Sequence, residues 1–340
     1  MAEAGRPTLM AREAGEAPAA VARMLERDRA AIAECVAQLG ARPPGVVVTC
    51  ARGSSDHAAT YAKYLIETLA SVPVASAAPS VASLYRAPAA AGARLCLAIS
   101  QSGQSPDLLA SVAQQREAGA FTVVLVNAED TPLERLADVA IRLEAGSERA
   151  VAATKSFIAS LAAIAALAAE WADDAPLREA VARLPELLAQ AGGLDWSAIV
   201  PMLRDASSAF VIGRGPGLGV AQEAALKLKE TSALHAEAFS AAEVRHGPMA
   251  LVGEGFPVLA LGDSGPGGDS VREVAAEFGR RGARVLLADR DGDLTAPAAH
   301  PALEPILAIQ AFYPAASALA LARGRDPDAP PHLRKVTETL

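Results

Sequence analysis

Short apolar runs alternate with amphipathic stretches along most of the chain. The short runs predict strands, since roughly four to eight apolar residues bounded by glycine, proline or polar residues suit a buried strand. These runs cover residues 46–50, 73–76, 95–99, 121–126, 139–143, 210–212, 258–261 and 284–288. Helical spacing occupies residues 8–39, 58–69, 108–117, 156–172, 223–230 and 270–280. The alternation predicts an α/β fold in which parallel sheets are covered by helices on both faces.

The two halves of the chain look like copies of one unit. Residues recur 162 positions apart: Arg52-Gly53 with Arg214-Gly215, Ser102-Gly103 with Ser264-Gly265, and Asp107 with Asp269. An offset held across two strand–loop–helix units indicates a duplicated domain. We predict an N-terminal helical segment over 1–40, a first subdomain over 41–175, a helical linker over 176–196, a second subdomain over 197–325 and a tail over 326–340.

Hydroxyl side chains follow two strands of the first half only. They are Ser54, Ser55, Ser100, Ser102 and Ser105. Ligands of parallel sheets bind at the carboxyl ends of the strands, and hydroxyls with free amides at a helix start suit a phosphate. The simpler alternative is helix capping, because a Ser-Pro-Asp sequence at 105–107 makes a good helix start by itself.

The stretch 222–251 concentrates charged side chains on one helix and the segment after it. Glu223, Lys227 and Glu230 fall on one helix face, and His246 follows before a Gly-Pro turn. A carboxylate and an imidazole from two elements can serve acid–base chemistry. Spacing alone nevertheless favours a solvated Glu223–Lys227 pair. His235 is interpreted as a partly buried helix residue.

The composition narrows the classes of function. The net charge of −8 argues against a nucleic-acid surface. The three cysteines lie far apart, so they signal neither a zinc site nor a disulfide framework. No uninterrupted apolar stretch approaches the ~20 residues that a membrane span needs. We expect a cytoplasmic protein with no metal or other cofactor, no nucleic-acid partner and no membrane contact.

Five motifs together resemble one known family. They are RGSSDHA (52–58), SQSGQSPDLL (100–109), VAATKSF (151–157), QEAALKLKETSALHAEAFSAAEVRHGPMAL (222–251) and DPDAPPHLRKVTETL (326–340). They are similar to the SIS (sugar isomerase) family, and most closely to the isomerase half of glucosamine-6-phosphate synthase and its deaminase relatives. The resemblance implies two SIS subdomains, each a flavodoxin-like three-layer α/β/α unit, and a homodimer with a shared active site.

The resemblance also implies roles for individual residues. Glu230 would move a proton between C1 and C2 of the sugar, His246 would assist ring opening in a neighbouring subunit's site, and Lys335 would meet the open-chain carbonyl. A larger set would hold the phosphate and sugar or line the site: Ser54, Ser55, Ser100, Gln101, Ser102, Ser105, Val151, Ala152, Glu223 and Lys227.

The expected partner is a phosphorylated amino sugar. Met1 leads directly into the isomerase-like part, so we expect no glutaminase domain and therefore breakdown of glucosamine 6-phosphate to fructose 6-phosphate and ammonia. The alternatives are a fructosamine-6-phosphate deglycase, another phosphosugar isomerase, and a sugar-phosphate sensor. A sensor usually carries a basic DNA-binding module, and its absence from this sequence favours an enzyme.

Overall fold

Two parallel sheets take up the short apolar runs of the chain. The computed structural model describes residues 7–335. Its strands are β1 (Val46–Cys50), β2 (Val74–Ser76), β3 (Arg94–Ser100), β4 (Phe121–Val126), β5 (Val139–Arg142), β6 (Ser208–Gly213), β7 (His235–Ser240), β8 (Pro257–Leu261), β9 (Arg284–Asp289) and β10 (Leu294–Thr295). The strand pairs are parallel, as the alternation of strands and helices predicts.

Helices precede, connect and follow these strands. They are α1 (Leu9–Gly15), α2 (Ala17–Arg27), α3 (Arg29–Ala41), α4 (Ser54–Leu65), α5 (Pro79–Ser83), α6 (Pro106–Glu117), α7 (Lys155–Trp171), α8 (Ala175–Ala182), α9 (Leu184–Gly192), α10 (Ile199–Leu203), α11 (Gly217–Ser232), α12 (Pro266–Arg280) and α13 (Glu304–Ala322). Glycines in the left-handed conformation end α6 and α12, at Gly119 and Gly282, because a residue without Cβ adopts that conformation at little cost.

The described chain forms two compact units. Unit A comprises residues 19–147 and 156–184, and unit B comprises residues 7–18, 148–155 and 185–335. Unit A holds the sheet β1–β5, and unit B holds the sheet β6–β10. The domain limits predicted from the sequence stay predictions.

The two sheets have the same topology. Their strand orders are β2-β1-β3-β4-β5 and β7-β6-β8-β9-β10, which are identical when each sheet is numbered from its own first strand. The register agrees as well, because Cys50 pairs with Ala98 and Ile212 pairs with Ala260, each residue 162 positions from its counterpart. Gly53 and Gly215 share a φ of 56°. The predicted duplication is therefore confirmed at the level of individual strand pairs.

Each sheet packs its apolar side chains against its own helices. In unit A, buried side chains of β1 and β3 pack against Leu108 and Val112 of α6. In unit B, Phe210 and Val258 contact Phe278 of α12. Phe210 also meets Phe239 and Phe256 edge to face at 4.9 Å, an arrangement that the ring quadrupoles favour.

Two elements differ from the sequence-based prediction. The interpretation of His235 as a helix residue is wrong, because it is the exposed first residue of strand β7. β7 lies at the edge of its sheet and lacks an apolar run, so periodicity gave no strand signal. Helix α13 was not predicted either. By length and composition alone it could cross a membrane, but 78% of that window is buried, and core helices pass the same test.

Candidate functional site

The serine-bearing loops of unit A meet at the point where the strand order reverses. One loop, 51–55, follows β1, and the other, 100–105, follows β3. β1 and β3 are neighbours, while β2 lies on the far side of β1. In sheets with this order, ligands bind in the crevice beside the first and third strands. The structure therefore brings the predicted serines of unit A to the end of the sheet where ligands bind.

The 100–105 loop is shaped by its own hydroxyls and one glycine. Ser100 Oγ accepts from the backbone N–H of Gly103 at 3.0 Å, and Ser102 Oγ accepts from that of Gln104 at 3.4 Å. Gly103 has a φ of 63°, and a Cβ there would lie 2.5 Å from Thr131 Oγ1. Ser105 is the N-cap residue of α6, but its hydroxyl makes no capping hydrogen bond. Capping therefore does not account for the Ser105 side chain.

An ion pair that sequence reasoning missed joins the 51–55 loop to the first turn of α6. Arg52 donates through Nε at 2.9 Å and Nη2 at 2.7 Å to Oδ2 of Asp107. The Asp107 side chain is only 1% exposed, while that of Arg52 is 51% exposed. A buried carboxylate needs a hydrogen-bonded counter-charge, so Arg52 fixes the first loop to the start of α6. Both residues took part in the 162-residue repeat, which was the available signal.

The corresponding loop of unit B is occupied by carboxylates of the chain itself. Ser264 donates its backbone N–H and its hydroxyl to the two carboxylate oxygens of Glu304, at 2.5 and 3.0 Å. Asp263 accepts from the N–H of Gly265 at 2.8 Å. Burial raises the pKa of Asp263 to about 6, and the charge of Glu304 contributes to that rise. The Ser264 N–H, the Ser264 hydroxyl and the Gly265 N–H, which could otherwise bind an external anion, thus already have acceptors within the chain.

Helix α11 of unit B carries a buried cluster of opposite charges. Lys227 Nζ lies 2.5 Å from Glu230 Oε2 and 3.3 Å from Glu223 Oε1. The Lys227 and Glu223 side chains are 1% and 0% exposed, whereas that of Glu230 is 21% exposed. The prediction of a solvated Glu223–Lys227 pair is therefore wrong. Spacing along one helix cannot reveal that α13 and two strands pack around it.

Small residues let α11 approach its neighbours closely. A Cβ on Gly213, at the end of β6, would lie 2.5 Å from the carbonyl oxygen of Gly217 at the helix start. The charged face of α11 is consequently desolvated. Burial alone lowers the pKa of Lys227, but the charges of Glu223 and Glu230 outweigh it, so the pKa of Lys227 lies above its ordinary value. Lys227 is thus held as an ammonium between two carboxylates.

A tyrosine that the sequence analysis missed belongs to the same cluster. Tyr313 of α13 is fully buried. Burial raises its pKa well above the ordinary value, and the charges of Glu223, Glu148 and Glu230 add to that rise. The phenol therefore stays protonated beside three carboxylates. Tyr313 lies in an apolar helix with no recognisable motif, which left no signal in the sequence.

The remaining predicted residues of unit B lie on three separate segments. Val151 is half-buried and Ala152 is buried on the segment 148–155. Lys335 Nζ lies 2.9 Å from Oε2 of Glu148, a residue of that segment. His246 is exposed between two turns of 3₁₀ helix, and no hydrogen bond or ion pair within residues 7–335 joins its side chain to Glu230. The structure therefore groups Glu223, Lys227 and Glu230 and leaves His246 apart from them.

Comparisons with known proteins agree with this architecture. The chain is 35% identical over 97% of its length to the glutamine–fructose-6-phosphate aminotransferase [isomerizing] of Leifsonia xyli subsp. xyli, and it spans 59% of that protein. A crystal structure of a candidate phosphosugar isomerase from Silicibacter pomeroyi is 43% identical, with a TM-score of 0.90 over 94% of this chain and 100% of that one. Glucosamine-6-phosphate deaminase from Thermotoga maritima, 23% identical, shares the fold with a TM-score of 0.80 over 98% of this chain and 100% of that one.

The model of the SIS domain matches residues 44–170 and 202–315, which contain the two sheets. The two matched segments end within helices α7 and α13. This chain is a member of the SIS domain family.

Proposed function

We propose that this chain isomerises a phosphorylated amino sugar and releases its nitrogen, converting glucosamine 6-phosphate to fructose 6-phosphate and ammonia. The observation that carries the proposal is the gradient of exposure along the charged face of α11. Glu223 and Lys227 are buried, and Glu230 alone of the three is accessible, at 21%. A base must reach its substrate, so Glu230 is the member of the cluster suited to proton transfer.

The relatives support the substrate class. The Leifsonia xyli relative bears the name of an isomerising enzyme of fructose 6-phosphate, and it is 35% identical to this chain. A phosphate on the sugar suits the loops 51–55 and 100–105, whose serines and helix starts lie at the switch point of the unit A sheet. Ser54, Ser55, Ser100, Gln101, Ser102 and Ser105 would hold the phosphate and the sugar hydroxyls, with Val151 and Ala152 contributing backbone contacts.

The reaction balances with water as the only co-reactant. Glu230 takes the proton from C2 of the open-chain aldose as the C1–C2 double bond forms, and the aldehyde oxygen takes a proton from water to become an enol. The same carboxyl group returns its proton to C1 while the amino group gives one back to the solvent, which leaves an imine at C2. Water adds to that imine and ammonia leaves, so C2 becomes the ketone of fructose 6-phosphate. Glu223 and Lys227 hold Glu230 in place through the buried ion pairs.

The other residues have supporting roles in this scheme. His246 would assist ring opening from a neighbouring subunit in a homodimer, which suits its exposure on unit B. Lys335 would polarise the carbonyl of the open-chain sugar. The charge of its ammonium is balanced by Glu148 at 2.9 Å.

The test is an ammonia-release assay over a panel of hexosamine 6-phosphates, run also in reverse with fructose 6-phosphate and ammonium. We expect ammonia and fructose 6-phosphate from glucosamine 6-phosphate. Interconversion without ammonia would replace the proposal with a simple isomerase. Glucose 6-phosphate formed from fructosamine 6-phosphate would replace it with a deglycase, and binding without turnover across the panel would replace it with a sensor.

A further inference from the structure

Glu148 is a buried carboxylate to which neither the motifs nor the relatives assign a role. Its side chain is 0% exposed. Oε1 accepts from the backbone N–H of Thr154 at 2.9 Å, and Oε2 lies 2.9 Å from Lys335 Nζ. A desolvated carboxylate is stabilised by a nearby opposite charge, and the ammonium of Lys335 supplies one at hydrogen-bonding distance.

Both partners of this ion pair are held in place by helix α1. Asp328, near the start of the tail, accepts from the backbone N–H groups of Leu9 and Met10 at 2.7 Å each. Glu13, which is 3% exposed, accepts from the N–H groups of Arg149 and Ala150 at 2.6 and 3.1 Å. The segment that carries Glu148 and the tail that carries Lys335 are therefore tied to the same short helix.

The segment and the tail also contact each other directly. The backbone N–H of Val151 donates to the carbonyl oxygen of Asp328 at 3.4 Å. The tail therefore contacts the segment 148–155 at two places, through this backbone hydrogen bond and through the Glu148–Lys335 ion pair. Two connections fix the direction of the tail as well as its position, which a single contact could not do.

Glu148 also belongs to the charged cluster of α11. Its charge acts on Tyr313, as do the charges of Glu223 and Glu230. The Lys335 ammonium is consequently paired with a carboxylate whose charge acts on the same phenol as the charge of the proposed base, Glu230. A lysine at the end of an unattached tail would spend little time there, because ordering several residues costs roughly 1–2 kcal/mol each.

We propose that Glu148 is a positioning residue, whose buried carboxylate holds the ammonium of Lys335 in the active site. The proposal deepens the proposed function, on which the role of Lys335 rests. Glu148 does not touch the sugar in this scheme. It keeps the tail lysine in place, and its loss would lower turnover through Lys335 and by no other route.

The first test needs no substrate and is a double-mutant cycle on the thermal midpoint of the ligand-free protein. Lys335→Met removes the ammonium that lies beside the buried Glu148 carboxylate, so the midpoint should fall by roughly 5–10 °C. Adding Glu148→Gln to that variant removes the buried negative charge and should raise the midpoint again. Lys229→Met, at an exposed position of α11, is the matched control and should leave the midpoint within about 2 °C. Additive losses in the double variant would overturn the ion pair.

The second test separates positioning from a merely structural role by steady-state kinetics. Glu148→Gln should lower kcat about tenfold or more. KM for the sugar phosphate should stay within about twofold, because the phosphate loops belong to unit A. Glu148→Asp, which keeps the charge, should recover part of kcat. In a Lys335→Met background the Glu148→Gln change should have no further effect on kcat.

The two tests fail in different ways. If the wild-type chain turns over no sugar of the panel, the proposed function fails while the thermal cycle still tests the pair. If the chain is active but Glu148→Gln lowers kcat equally with and without Lys335, Glu148 acts by another route and the positioning role is overturned.

Discussion

Lys227 Nζ lies 2.5 Å from Glu230 Oε2 on the buried face of α11. This contact joins a fully buried cation to the one carboxylate of the cluster that is partly accessible. The cation fixes where the carboxylate points, and the accessible edge leaves it able to exchange a proton. Replacing Glu230 and replacing Lys227 should therefore have different effects.

Replacing Glu230 by glutamine should abolish turnover while binding survives. The amide keeps the size of the side chain but cannot accept a proton, so kcat should fall by about 10² to 10⁴. Affinity for a sugar phosphate should stay within about twofold, as measured by calorimetry. Glu237→Gln on the exposed position of β7 is the control. Near-normal kcat in Glu230→Gln would remove the proposed base.

Replacing Lys227 by methionine should strongly destabilise the protein. The change removes the ammonium that lies between Glu223 and Glu230, and losing one partner of a buried pair costs about 3–5 kcal/mol. The control is the more exposed Lys63–Glu67 pair, which joins α4 to the π-helical turn that follows it and whose side chains are 46% and 37% exposed. Lys63→Met, which also loses a hydrogen bond to the carbonyl oxygen of Val74, should cost no more than about 1–2 kcal/mol in urea denaturation. Equal costs would mean that Lys227 is not effectively desolvated.

The Arg52–Asp107 pair should matter more than its duplicated counterpart. Arg52→Ala frees the 51–55 loop from α6, so affinity for a sugar phosphate should fall roughly tenfold, equivalent to about 1.4 kcal/mol. Arg214, the equivalent residue of unit B, donates to Ser240 Oγ at 2.9 Å instead of to an aspartate. Arg214→Ala should therefore leave the affinity unchanged. Equal losses in the two variants would show that the loops of unit A are not the phosphate site.

Adding a Cβ at Gly103 should lower the affinity for phosphate as well as strain the backbone. Gly103→Ala would meet both a positive φ and the side chain of Thr131 at 2.5 Å. Gly119→Ala is the matched control, since its φ of 85° is also positive but nothing lies within 4 Å of the added carbon. The control should lose about 1–2 kcal/mol of stability and no affinity. Gly103→Ala should lose both stability and affinity. If the loop shifts freely to accommodate the Cβ, the two variants will behave alike.

The stability of the chain should depend on Asp263 between about pH 4 and pH 6. Burial, with the nearby Glu304, raises the pKa of Asp263 from 3.8 to about 6. In that window the folded state binds a proton that the unfolded chain does not, so the contribution of Asp263 to stability falls as the pH rises. The loss should be on the order of 1–3 kcal/mol. Asp263→Asn should lack this loss, so in urea denaturation the wild type should become less stable relative to the variant as the pH rises from 4 to 6. Parallel curves would contradict the assignment.

The sequence predicted those features that depend on local pattern and missed those that depend on packing between distant segments. The apolar runs predicted β1 and β3, and the 162-residue offset predicted the duplication that the Cys50–Ala98 pair and its copy, Ile212–Ala260, display. The burial of Lys227 was missed because it depends on α13, whose continuous apolar composition carries no amphipathic period.

Residues that recur 162 positions apart lie at equivalent places in the two units but bond to different partners. Arg52 and Asp107 bond to each other, whereas Arg214 bonds to Ser240, and Asp269 pairs with Arg272 of its own helix. The serines of 54–55 and 100–105 lie where the pattern predicted, at the ends of neighbouring strands. Glu148 and Tyr313 were missed because their importance arises from neighbours far away in sequence.

Helix α1 also constrains how the chain can be made. Thr8 and Ser317 share a hydrogen bond of 2.7 Å across 309 positions, and the amides of Leu9 and Met10 bond to Asp328. During translation, the residues of unit A, which end at 184, leave the ribosome long before α13. At about 5–20 residues per second, α1 waits on the order of tens of seconds for partners that lie 309 positions or more downstream. A segment that emerges before both sheets is thus among the last to settle, and nascent chains that stall before residue 328 would expose it to chaperones and proteases.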